Sequence, residues 1–210
     1  MPFPRRLEPG SSYAAEKNIA WSPREKHVRG TRVTIKTIVL LFSLIFAPGF
    51  TGFAQDQSPT EYQIKAAFLY NFAKFVQWPA QAFSGPTSPI VIGVLGENVF
   101  GGDLEKTIRG KTIKDHPLQF KEFHSVTEAR GCQILFISPS EKNHLPKILD
   151  GLRSASVLTV SETDRFNDAG GMINFVIEDN KIHFQINNEA AKKAGLTISS
   201  KLLNLAAHSH

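Results

Sequence analysis

Six histidines follow residue 54, at His116, His124, His144, His183, His208 and His210, and none pairs at the helical spacing that metal-binding imidazoles use. His208 and His210 could share an ion, yet a frayed chain end is the simpler reading. The chain has no G-x-S-x-G turn, no phosphate-binding Walker loop and no Cys/His zinc spacing. Cys132 is the single cysteine, so no internal disulfide can form. It precedes the apolar run Gln133-Ile-Leu-Phe-Ile137 and reads as a small buried apolar residue. No nucleophile stands with a base, so no catalytic residue, metal or cofactor is assigned.

Binding chemistry has better candidates. Two acidic loops, Ser161-Glu-Thr-Asp164 and Glu178-Asp179, invite a metal or acid/base reading, and the second reads more simply as a solvated hairpin tip. The first follows a strand, and open parallel sheets bind ligands at the carboxyl ends of their strands. Glu97, Ser138, Ser161 and Glu162 are therefore expected to line a ligand cleft at that edge. Gly93-Val-Leu-Gly96 lacks the G-x-G-x-x-G spacing, so its glycines are read as turn formers. Trp78 and Phe83 are the candidate partner-binding residues. Aromatic side chains pack inward by default, but an exposed part of this pair would anchor a protein contact.

The element that positions Trp78 is Glu61–Pro79, EYQIKAAFLYNFAKFVQWP. Ile64, Phe68, Phe72, Phe75 and Val76 recur at helical spacing, and Tyr62, Ala66, Leu69 and Ala73 form an adjoining apolar stripe. A narrow polar edge runs through Gln63, Asn71, Lys74 and Gln77, so the helix should be covered on nearly all sides. Ser58 is placed to cap it, with Pro59 in the first helical position and Glu61 completing a capping box. Pro79 ends it by pushing Trp78 out of helical geometry.

Strands and short helices then alternate. Strands are expected at 90–95, 118–123, 133–137 and 157–160, with helices at 103–109, 125–130 and 143–153 between them. That alternation predicts a parallel sheet. Residues 172–177 and 181–186, separated by Glu178-Asp-Asn180, predict a hairpin. Two short helices follow, one capped by Asn188 and stopping at Gly195, the other over 199–206 with Leu202, Leu203 and Leu205 inward. The fold class is α/β: a three-layer domain with a mostly parallel central sheet, one antiparallel edge hairpin and flanking helices.

Residues 1–54 are set apart as a leader. Val39–Phe46 is a short apolar run behind Arg29, Arg32 and Lys36, and Gly52-Phe53-Ala54 offers a cleavage signal, with an uncleaved anchor as the rival reading. The basic stretch before Thr31 is long for a leader, which a start at Val28 or Val33 would explain. Residues 1–54 carry eight basic and three acidic side chains, leaving sixteen of each in residues 55–210. The exported part is thus neutral, and the pI of about 9.4 is no sign of nucleic-acid binding. Its 156 residues, 55–210, form one domain with room for a core.

KAAFLYNFAKFVQWP, then GGMINF and INNEAAKKAGLTISSKLL, resemble the YfiR family of small periplasmic regulators over nearly all the chain after residue 58. The resemblance implies a periplasmic, non-enzymatic negative regulator that binds the outer domain of a membrane diguanylate cyclase, lowering cyclic di-GMP signalling and biofilm growth. Related domains serve sensor kinases, so a small-molecule sensor feeding a kinase or transport system is the alternative. A small ligand and a homodimer stay open as partners. Some relatives carry cysteine pairs, and redox control built on them does not transfer to this chain.

Overall fold

The computed structural model describes residues 59–206. The leader, the cut after Ala54, and His208 and His210 lie outside the described residues. Helix α1 (Glu61–Phe75) opens the fold. Its cap is Thr60, whose hydroxyl accepts from the Gln63 N–H while the Gln63 side chain accepts from the Thr60 N–H. This corrects the cap expected at Ser58. With Thr60 outside the helix, Gln63 is the third helical residue and closes the capping box, and Pro59 precedes the cap.

Among the described residues, nine strands and five further α-helices follow. The strands are β1 (Val76–Gln77), β2 (Ile90–Leu95), β3 (Thr112–Ile113), β4 (His116–Phe123), β5 (Ile134–Ile137), β6 (Leu158–Ser161), β7 (Ile173–Glu178), β8 (Lys181–Ile186) and β9 (Thr197–Ile198). The helices are α2 (Asp103–Ile108), α3 (Val126–Ala129), α4 (Leu145–Leu152), α5 (Asn188–Lys193) and α6 (Ser200–Leu203). Seven strands make one sheet in the order β3-β4-β2-β5-β6-β7-β8. From β4 to β7 the pairings are parallel, and β8 closes one edge antiparallel. A two-residue strand, β3, adds an antiparallel pairing on the other edge that the sequence reading lacks.

The β7–β8 turn is Asp179-Asn180 alone, both at positive φ (50° and 57°). Two consecutive left-handed residues match the twist of a hairpin, and Asp and Asn tolerate that conformation. Asn187, one residue before the expected Asn188, caps α5 through Ala190.

Two apolar layers flank the sheet. Ile92, Val94, Ile134, Phe136, Leu158 and Val160 pack with Leu69 and Phe72 of α1 on one face. Val91, Leu95, Leu135 and Ile137 pack with Ile148 and Leu152 of α4 on the other. The three-layer architecture follows from this alternation. Gly93 sits where the Phe123 ring crosses β2, and a Cβ there would come within 2.4 Å of that ring. Leu205, expected inward, is 62 % exposed because α6 ends at Leu203. No helix among the described residues is long and apolar enough to cross a membrane.

Candidate functional site

The polar residues singled out at the carboxyl ends of β2, β5 and β6 do lie at that edge of the sheet. Glu97 is exposed just past Gly96, and its N–H donates to Ser140 Oγ at 3.0 Å. Ser138 and Ser161 are turned into the fold. Ser138 is 1 % exposed and its Oγ has no partner among the described residues, while the Ser161 hydroxyl donates to the Ile137 carbonyl at 2.8 Å.

Glu162 is engaged from inside. Its carboxylate accepts from the Tyr62 hydroxyl at 3.0 Å and from the ammonium of Lys65. Lys65 is 2 % exposed, also bonds the Glu61 carboxylate, and holds its nitrogen 4.9 Å from the centre of the Tyr62 ring. Burial, then the charge and hydrogen bond of Glu162, push the Tyr62 phenol up to about 12. Lys65 was left out of the polar edge read from the sequence. The signal was available: Lys65, Leu69 and Phe72 share one helix face, four and three residues apart. A lysine held between two carboxylates is a latch from α1 to the end of β6. No group of three or more His, Cys, Asp or Glu is placed to hold a metal ion among the described residues.

A cleft of about 660 Å³ opens at the opposite end, where β2 and β4 begin. Phe75, Trp78, Phe83, Ile90, Ile113 and His116 supply its apolar wall. Both partner-contact candidates therefore stand in one groove, each partly exposed. Helix α1 ends at Phe75, before the end expected from Pro79, because Val76 and Gln77 are drawn into an extended pair: β1 runs antiparallel to β9, so Val76 lies opposite Ile198. Buried Gln133, at the head of β5, ties the following loop down. Its carbonyl accepts from the Trp78 indole N–H at 3.0 Å, its amide donates to the Ala82 carbonyl at 2.7 Å, and its side-chain oxygen accepts from Val91 N–H at 2.8 Å. Sequence reading passed over Gln133 as the edge of an apolar run.

Phe83 stacks on the His116 ring, with centres 4.3 Å apart and planes 23° from parallel. His116 Nδ1 lies 2.6 Å from the Ser88 carbonyl; since a carbonyl only accepts, Nδ1 carries the proton. The groove is thus held open by three connected supports: the β1–β9 pair, the Gln133 bonds and the Phe83–His116 stack. Concave, mostly apolar and edged by a few polar groups, it has the form and size of a binding site.

Comparison with curated proteins finds no match. Among solved structures the chain is similar to a conserved domain protein from Vibrio cholerae O1 biovar El Tor, at 10 % identity and a TM-score of 0.49, over 72 % of this chain and 60 % of that one. It is also similar to an ABC domain in complex with L-Trp from Streptococcus pneumonia, at 12 % identity and a TM-score of 0.44, over 71 % of this chain and 60 % of that one. The chain thus spans less than two thirds of either structure. The YfiR/HmsC-like family model, by contrast, matches residues 62–207, from the first turn of α1 to beyond α6. The chain belongs to the YfiR/HmsC-like family, a family of periplasmic regulators not known as enzymes.

Proposed function

We propose that this protein is a non-enzymatic periplasmic regulator that binds the outer domain of a membrane diguanylate cyclase and restrains it. Family membership over residues 62–207 is the observation that carries this reading. The Trp78–Phe83 groove is the contact surface on this proposal, because its aromatic walls are partly exposed and its shape is set by supports buried behind it. Export with removal of the leader after Ala54 delivers the domain to the cyclase's outer side. Restraint comes from binding: the regulator shifts its partner only by its differential affinity for the quiet state.

Deleting the gene should raise cyclic di-GMP and favour attached growth, and Phe83→Ala in an otherwise folded protein should reproduce part of that rise. An unchanged nucleotide level in the deletion strain would overturn the regulatory role. One observation favours a second reading, a small-molecule sensor: a volume of about 660 Å³ is that of a ligand pocket. Capture of a membrane signalling protein from envelope extracts supports the first reading. Tight small-ligand binding with no protein captured supports the second.

A further inference from the structure

Four lysines gather in or beside the groove. Lys74 and Lys114 belong to its wall. The Lys201 ammonium lies 5.2 Å from the ring centre of Phe75, itself a wall residue, and Lys74 lies 5.9 Å from the same ring. Lys111 stands 4.2 Å from the Tyr70 ring centre, which Lys74 approaches to 5.5 Å from its own side. All four lysines are exposed, and none belongs to an ion pair among the described residues. Among the described residues, no Asp or Glu lines the groove. Asp115, exposed in the turn between Lys114 and His116, is the carboxylate next to it in sequence.

This clustering is local. Residues 55–210 hold equal numbers of basic and acidic side chains, so a patch of four unpaired cations is not a by-product of net charge. Gathering like charges costs repulsion, which the faces of Tyr70 and Phe75 offset only in part. An incoming anion relieves the remainder.

We propose that the groove receives an acidic segment of a protein partner, with one apolar side chain seated between Trp78 and Phe83 and flanking carboxylates on the lysine rim. The proposal rests on the regulatory reading of the same groove and adds the chemistry of the partner. Shape selects a protein over a lipid surface. A bilayer takes protruding apolar groups, whereas this apolar surface is recessed behind its cations and accepts a group that protrudes from elsewhere. Charge complementarity of this kind speeds encounter and rejects basic competitors.

The test uses the full protein purified from the envelope and the peptide acetyl-Asp-Glu-Phe-Glu-Asp-amide, with binding read from Trp78 fluorescence. The peptide should bind, bind more weakly as salt is raised, and lose about tenfold in affinity in the K74Q/K201Q double variant. A matched peptide with lysines for its acidic residues should not bind. Equal binding of both peptides, binding of neither, or binding only to vesicles of phosphatidylglycerol would each overturn the proposal. So would an affinity untouched by K74Q/K201Q in a protein whose melting temperature matches the parent. Cells separate this from the broader reading. If deletion raises cyclic di-GMP while K74Q/K201Q behaves as the parent, the basic rim fails and the regulator stands. If deletion changes nothing, the regulator fails whatever the peptide does.

Discussion

Lys65 and Glu162 show how one pair of residues can fasten an element. Removing Lys65 leaves the largely buried Glu162 carboxylate without its counter-ion, which costs about 3–5 kcal/mol. Removing Glu162 leaves Lys65 its second carboxylate, Glu61, and replacing both by apolar groups costs less than losing Lys65 alone. Lys65→Met is therefore expected to destabilise strongly, and Lys65→Met with Glu162→Leu to recover most of the loss. Urea denaturation of the two singles and the double measures this, and a double variant no more stable than Lys65→Met would show that the pair is not the reason. Tyr62 adds a pH signature. Its phenol is raised from 10.0 to about 12, so the folded state disfavours the phenolate. The stability that this shift contributes is complete below pH 10.0 and is lost as pH rises from there through about 12. Tyr62→Phe should flatten the decline in melting temperature over that range; an unaltered slope would place its cause elsewhere. Burial likewise pushes the Cys132 thiol up to about 12, and iodoacetamide should label it only once the protein is unfolded.

At the scale of elements, α1 is the most heavily committed. Phe72 is fully buried and its ring meets Phe68, Phe175 and Phe184 at centre distances of 6.1, 5.8 and 5.2 Å. Phe72→Ala should cost about 3–5 kcal/mol. Phe68 reaches the same rings but keeps part of its surface in solvent, so Phe68→Ala should cost less. Calorimetry ranks the two, and equal melting temperatures would show that burial does not separate them. Strand β2 carries a different constraint. Gly93→Ala must displace the Phe123 ring, which is packed between β2 and the α3–α4 layer, and a destabilised β2–β4 pair is the expected result.

For the whole molecule, stability should grade from the middle of the sheet to its edges. Strands β2, β5 and β6 are buried along their full length, while β3 and the turn end of β7 and β8 meet solvent. Amide hydrogen exchange should be slowest in the first three and fastest at the two edges. Comparable protection throughout would mean that the domain opens only as a unit.

The cover expected on nearly all sides of α1 was too broad, since Ala67 is exposed and Ile64, Phe68 and Phe75 are only partly buried. The order of residues by itself determined the three-layer α/β class, the buried stripe Ala66, Leu69, Phe72 and Ala73 of α1 and the hairpin read at Glu178-Asp-Asn180. These follow from local rules, since a side chain's period along its own helix or strand sets which face it occupies. Family membership was legible in the same way, from separated motifs in a fixed order. Tertiary structure alone decided who meets whom. Glu162 read as an open rim because nothing local says that Lys65 and Tyr62, a hundred residues earlier, lie against it. Gln133 read as the end of a strand because its partners, Trp78, Ala82 and Val91, reach it only through the fold. The lysine rim escaped notice for the same reason: Lys74, Lys111, Lys114 and Lys201 come from three separate parts of a chain whose exported charge sums to zero. A composition reports the sum of charges, and only the folded chain brings four of one sign to one groove.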